Sequence, residues 1–244
     1  MINIFVIRII KFILRVIIFL FSYILYIIQL LFIFLNFKSL AKKIFNYAAY
    51  LCSRSLGISY KINENFRDLF LKKGIHISNH DNPLDIFVAQ YLFGLRTITT
   101  VDQHLKNFLP FFEVSLKNYG HYCFDYKDFY ERKLAYLFLK KTCATYKNAL
   151  IYPSGSIYTS ITQRFSKSVS KLSKINNLKV IAWKFYFDDK SNIKYQRKIS
   201  SYILKRFYAK TITIKIKEVK TFNPSEYEST EDLHFELLRF YSNS

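Results

Sequence analysis

A histidine and an aspartate stand five residues apart in Gly74-Ile75-His76-Ile77-Ser78-Asn79-His80-Asp81-Asn82-Pro83-Leu84-Asp85-Ile86-Phe87. An imidazole titrates near neutrality, so it can take a proton from a hydroxyl and return it to a leaving group. A carboxylate on the other ring nitrogen fixes the tautomer and stabilises the imidazolium. His80 and Asp85 are therefore a candidate base and orienter. The same residues have a plainer use. Asn82 can cap a helix, Pro83 can occupy its first position, and Asp85 then falls in the first turn, where an acid favours the helix dipole. Both readings place the pair at the end of an apolar strand and the start of a helix.

Asn79-His80, four residues and Asp85 resemble the first motif of the glycerolipid acyltransferases, the lysophosphatidic-acid acyltransferase type. The resemblance implies that His80 deprotonates an acceptor hydroxyl and that Asp85 orients it. Three later stretches fall in the family's order. Gly120-His121-Tyr122-Cys123-Phe124-Asp125-Tyr126-Lys127 is similar to the second motif, with Tyr126 where the family has arginine. That arginine helps hold the acceptor's phosphate; Lys127 can supply its charge but not its planar fork of donors. Tyr152-Pro153-Ser154-Gly155-Ser156 resembles the third motif, Phe-Pro-Glu-Gly-Thr, with Ser154 for glutamate and Ser156 for threonine. A Pro-Ser-Gly form occurs in some glycerol-3-phosphate acyltransferases. Gly155 and small hydroxyls let backbone N–H groups approach an anion, although a strand ending in a Pro-Gly turn reads the same way. Lys179–Phe187 stands where the fourth motif belongs, without its usual proline. Asn79, Gly120, Lys127, Pro153, Ser154, Gly155, Ser156 and Arg164 are thus the implied substrate-binding residues.

These turns need a sheet to carry them. Ile58–Ile62, residues 74–78, Arg96–Val101, residues 149–152, Lys179–Phe187 and Thr211–Val219 read as strands, the last as an edge strand with its lysines outward. Residues 103–118, with Pro110 and three phenylalanines, suggest a broken or short helix. Residues 128–147 form a helix with Phe129, Leu134, Leu137 and Phe138 on its apolar face. Ser229–Tyr241 closes the chain as a helix capped by Ser229 or Thr230, with Leu233, Phe235, Leu237 and Leu238 inward. Ser160–Asn177 is rich in serine and in basic residues including Arg164; it lacks apolar periodicity and reads as a loop. The expected class is α/β, a mixed central sheet flanked by helices, with an N-terminal membrane-associated helical segment.

Val16–Leu35 is twenty residues without a formal charge, flanked by Arg8, Lys11 and Arg15 before and by Lys38, Lys42 and Lys43 after. At a rise of about 1.5 Å per residue, such a run spans a hydrocarbon core of about 30 Å. Either one transmembrane helix or a pair of helices lying in one leaflet fits residues 1–55, with an acyltransferase domain over residues 56–244. The 244 residues carry 37 Lys and Arg against 17 Asp and Glu, a net charge of +20. That surface seeks an anionic partner, here the phospholipid surface of a membrane. No aromatic-basic nucleic-acid motif accompanies the charge, so a nucleic-acid partner is not expected. Cys52, Cys123 and Cys143 are scattered, which suits a reducing compartment. His76 and His80 lack a third ligand at metal spacing. The resemblance implies acyl transfer from acyl-CoA or acyl carrier protein, used as a co-substrate with no bound cofactor, to a lysophospholipid on the cytoplasmic face. The alternative is a catalytically impaired membrane-surface binding protein that keeps the fold.

Overall fold

A computed structural model describes residues 4–62, 66–79, 85, 89, 93, 97–102, 111–125, 127–146, 148–154, 165–188 and 199–242. The strands are β1 (Ile58–Lys61), β2 (Gly74–Ser78), β3 (Ile98–Asp102), β4 (Tyr122–Phe124), β5 (Asn148–Ile151), β6 (Val180–Asp188) and β7 (Ile212–Phe222). The described helices are α1 (Ile4–Phe34), α2 (Lys38–Ser55), α3 (Arg67–Leu71), α4 (Phe112–Asn118), α5 (Phe129–Tyr146), α6 (Ser168–Asn176), α7 (Ile199–Tyr208) and α8 (Thr230–Ser242). A mixed seven-stranded sheet runs in the order β1-β7-β6-β2-β5-β3-β4. β1 is parallel to β7, and β6, β2, β5, β3 and β4 are parallel to one another. The antiparallel step lies between β6 and β7. Lys184 pairs with Glu218 and Asp188 with Lys215, so rising numbers on one strand meet falling numbers on the other.

The chain divides into two compact units. The first contains Met1–Lys61, Pro83–Leu95 and Phe187–Lys215. Its α1 is apolar outside, while its buried side carries three polar residues beside Tyr26 and Leu30. Arg15, Ser22 and Gln29, seven residues apart, are buried, while Ile13, Ile17, Leu20, Ile24, Ile27 and Leu31 are exposed. That inverts the pattern of a helix in water, whose apolar stripe faces the core. Val6–Phe34 is long and apolar enough to cross a membrane. Arg15 donates from Nη1 to the carbonyls of Arg206, Phe207 and Ala209 at 3.0, 3.1 and 2.7 Å. These are orphan carbonyls at the end of α7, and a cation there also complements the helix dipole. Gly57 makes room for this cap. Its φ is +76°, and a Cβ would lie 2.3 Å from an Arg15 guanidinium nitrogen.

The second unit contains Ile62–Asn82, Arg96–Tyr186 and Ile216–Ser244. One face of β2, β5 and β6 buries Ile75, Ile77, Ala149, Ile151, Val180 and Ala182 against α5, α6 and α8. Four expectations are corrected here. β7 lies between β1 and β6 and is not an edge strand; β1 covers only Ile212–Lys215, which leaves Lys217 and Lys220 exposed farther along. Residues 168–176 are helical, with Val169, Ser170, Leu172 and Ser173 buried. The serines hid the periodicity. Ser170 Oγ donates to the Lys167 carbonyl at 3.0 Å and Ser173 Oγ to that of Leu178 at 2.6 Å, so both pack as small satisfied groups. In α8 the inward residues are Leu233, Leu237, Phe240 and Tyr241, at helical spacing, and Phe235 points outward. In α5 the buried line is Ala135, Leu139, Thr142 and Cys143. Small residues there let the helix approach the sheet, and Phe129 and Leu137 are left outside.

Candidate active site

The four candidate motifs belong to one parallel array, so the strands end at one edge. Ile77 pairs with Ile151, Thr99 with Leu150, and Asp102 with Phe124. Continuing those registers sets Asn79, Pro153, Asp102 and Phe124 at one level across four strands about 4.8 Å apart. Ligands of parallel sheets bind at this carboxyl edge. His80 follows Asn79 directly in the chain, but it lies outside the described residues, as do Gly155, Ser156 and Arg164.

Asn79 is clamped to the neighbouring strand. Its Nδ2 donates to the Phe185 carbonyl at 3.1 Å, and its Oδ1 accepts from the Phe185 N–H at 2.9 Å. The side chain thus extends the β2–β6 ladder one step past the end of β2 and fixes where the chain enters the motif. A second tie lies one step back. The Tyr241 hydroxyl of α8 sits 3.1 Å from the Ile77 carbonyl and 3.2 Å from that of Trp183, bridging the same two strands. Tyr241 belongs to none of the sequence motifs. The signal available was a tyrosine at the inward phase of an amphipathic helix, since a buried phenol needs a polar partner.

His76 is also committed to structure. The Trp183 indole N–H, which can only donate, gives its hydrogen bond to Nδ1 at 3.1 Å. Nδ1 is therefore the acceptor, and Nε2–H donates to the Lys72 carbonyl at 2.9 Å. Phe70 stacks on Trp183 with centroids 4.1 Å apart. Burial pushes the His76 imidazole from 6.5 down to about 4, against the raising effect of the bond to Lys72. The unfolded chain binds a proton near 6.5 that the folded chain refuses, so stability falls as pH falls between 6.5 and about 4. The loss expected from this one group is about 3 kcal/mol. Denaturant midpoints measured across that window check it. His76→Phe should be less stable at neutral pH yet lose most of this slope; an unchanged slope would assign it to other groups.

The remaining residues divide by position. Pro153 and Ser154 are buried at the carboxyl edge. The Pro153 carbonyl accepts from Ser166 N–H at 3.0 Å, which joins the two ends of the stretch 154–165. Lys127 is exposed, and its N–H donates to Asp125 Oδ1 at 2.9 Å in a turn past the end of β4. Asp125 N–H in turn donates to Glu131 of α5. Gly120 lies at the other end of β4, where φ of +84° turns the chain from α4 into the strand. Asp85 is helical and 3 % exposed. Among the described residues, no three His, Cys, Asp or Glu side chains gather as a metal site would require.

A family model described as Acyltransferase matches residues 57–184. The chain belongs to the acyltransferase family. The match runs from β1 into β6 and covers the first three candidate motifs and the start of the fourth, and the protein is an acyltransferase enzyme. The acyltransferase matches no curated protein in sequence. Its fold is similar to the crystal structure of the 1-acyl-sn-glycerophosphate (LPA) acyltransferase PlsC from Thermotoga maritima. That likeness has a TM-score of 0.62 at 13 % identity and covers 97 % of this chain and 95 % of the other.

Proposed function

We propose that this acyltransferase moves a fatty acyl group from an acyl thioester, acyl-CoA or acyl carrier protein, to a hydroxyl of a lysophospholipid such as lysophosphatidic acid. The observation that carries the reading is the family match across residues 57–184, which includes Asn79-His80 and Asp85. His80 takes the hydroxyl proton, with Asp85 holding its tautomer. The acceptor oxygen attacks the thioester carbonyl, and backbone donors at the motif turns hold the oxyanion. The carbon–sulfur bond then breaks, and the imidazolium returns its proton to the leaving thiolate. The thioester is a co-substrate, and the chain supplies every other group this sequence of steps needs. Lys127 and Arg164 meet the acceptor's phosphate in place of the arginine absent at Tyr126. Asn79 acts on this site by position, because its amide is held to the Phe185 N–H and carbonyl.

The surroundings of α1 support a bilayer as the place of reaction. Apolar residues outside and Arg15, Ser22 and Gln29 inside suit a helix bathed in hydrocarbon. α1 and α2 together form the attachment, and the cytoplasmic leaflet, with its anionic lipid, suits the charge of +20. Full-length protein is therefore expected to stay with membranes through a high-salt wash and to need detergent. Ile17→Lys with Ile24→Lys, both on the exposed face, should release it into the salt wash. Retention of that double variant would mean this face does not meet lipid.

The function itself is tested with purified protein in detergent. It is offered a panel of lysolipids against labelled acyl-CoA and acyl carrier protein. A new diacyl lipid formed one for one with released thiol is the expected result. Thioester hydrolysis alone, or no thiol release with any acceptor, would favour the membrane-surface binding protein.

A further inference from the structure

α5 leaves two large aromatic side chains outside the core. Phe129 is 75 % exposed and Tyr130 66 % exposed, although an apolar side chain is normally worth burying. Both lie just past the end of β4, and β4 is parallel to its neighbours, so they stand at the carboxyl edge where the motif turns emerge. α4 packs on β4 and is joined to it by residues 119–121, so it runs the opposite way. Its start, Phe111, is thereby brought toward the same edge. Phe111 is 66 % exposed and has a φ of +56°, a backbone region that a bulky residue rarely takes. Three exposed aromatic rings thus rim one edge of the second unit.

Charge accompanies them. Residues 127–141 carry five basic side chains, Lys127, Arg132, Lys133, Lys140 and Lys141, against the acids Asp128 and Glu131. Both acids are occupied by backbone N–H groups, Asp128 by that of Glu131 and Glu131 by that of Asp125. The basic groups are exposed, and the Arg132 guanidinium lies over the Phe129 ring at 5.7 Å. Exposed aromatic rings interleaved with cations are the composition of a membrane interface, where rings enter the headgroup layer and cations meet phosphates. An acidic protein would match the charges but leave three rings to be covered.

We propose that Phe111, Phe129 and Tyr130, with Arg132 and Lys133, form a second bilayer contact, which seats the carboxyl edge of the sheet on an anionic lipid surface. The proposal rests on the lipid-acyltransferase reading above. A chain tethered by α1 always has such a surface within reach, so even a weak contact is populated. The contact shortens the path of a lysolipid from the leaflet to His80.

The test uses full-length protein reconstituted in phosphatidylcholine vesicles with and without phosphatidylglycerol. Trp183 is the one tryptophan of the chain and is buried, so Phe129→Trp adds a single surface reporter. Its emission should be quenched by doxyl-labelled lipid in anionic vesicles and much less in neutral ones. Arg132→Glu with Lys133→Glu should weaken both the quenching and transfer to a bilayer-borne acceptor by about tenfold. Transfer to a short-chain, monomeric acceptor should not change. Absence of quenching in both vesicles, or equal quenching in both, would overturn the proposal. So would a charge-reversal loss seen only with an acyl-carrier donor and never with acyl-CoA, which would assign the rim to the carrier. Normal quenching without transfer to any acceptor would leave the contact standing and overturn the lipid-acyltransferase reading instead.

Discussion

Asp85→Asn is expected to slow acyl transfer nearly as much as loss of the His80 imidazole itself, by about 10²–10⁴-fold. The melting temperature should hardly move. Asparagine keeps the shape of the carboxylate but offers His80 a neutral partner, which allows the wrong tautomer. The competing role for Asp85 is to favour a helix start, and that predicts something different. A first-turn acid on a surface helix contributes about 0.3–1 kcal/mol and works from water. Asp85 is 3 % exposed and is engaged by its surroundings. Burying a carboxylate is costly unless its charge is used, so the burial argues for a role beyond the helix dipole. Initial rates beside melting curves for both proteins decide between them. A destabilised Asp85→Asn that kept its rate per folded molecule would leave this residue a cap.

Asn79→Ala should be costly in two ways. It removes both partners of Phe185, leaving a buried N–H and a buried carbonyl unpaired, at about 1–3 kcal/mol each. It also frees the exit of β2 one residue before His80. A base displaced by about 1 Å can cost 10²-fold, so kcat per folded molecule should fall well below that of the wild type. The acceptor KM should stay nearly constant, because no contact with substrate is lost. Asn79→Asp keeps the acceptor for the Phe185 N–H but sets a carboxylate against the Phe185 carbonyl, so it should recover little. If KM rose while kcat held, Asn79 would be a substrate ligand and its clamp on β6 incidental.

Much of this arrangement is legible in the sequence because it depends on local pattern. β2, β5 and β6 are short apolar runs stopped by polar turns, and each lies within a residue or two of where pattern puts it. The uncharged run from Val16 announces α1 by length alone. What pattern misses is set by partners far along the chain. Arg15 reads as a flanking charge, yet it caps α7 about 190 residues later. His76 has no partner at metal spacing in the sequence, and its role appears only where Trp183 occupies its Nδ1. The serines of α6 look solvated until their hydroxyls are seen bonded to nearby carbonyls. For α5, size misleads. Its large apolar residues suggest the inner face, while the sheet takes the small ones and leaves Phe129 and Leu137 outside. The edge that gathers the candidate site follows from order and register, which single strands do not encode.

The most direct test of the proposed chemistry is the rate of thiol release, with matched formation of acylated lipid, by wild type and His80→Ala in the same lipid vesicles. Both proteins should bind the vesicles equally and melt alike, because the substitution removes a base and little packing. The variant's rate should be lower by about 10²–10⁴-fold, the usual worth of a general base. Full activity in a folded, membrane-bound His80→Ala protein would contradict the mechanism.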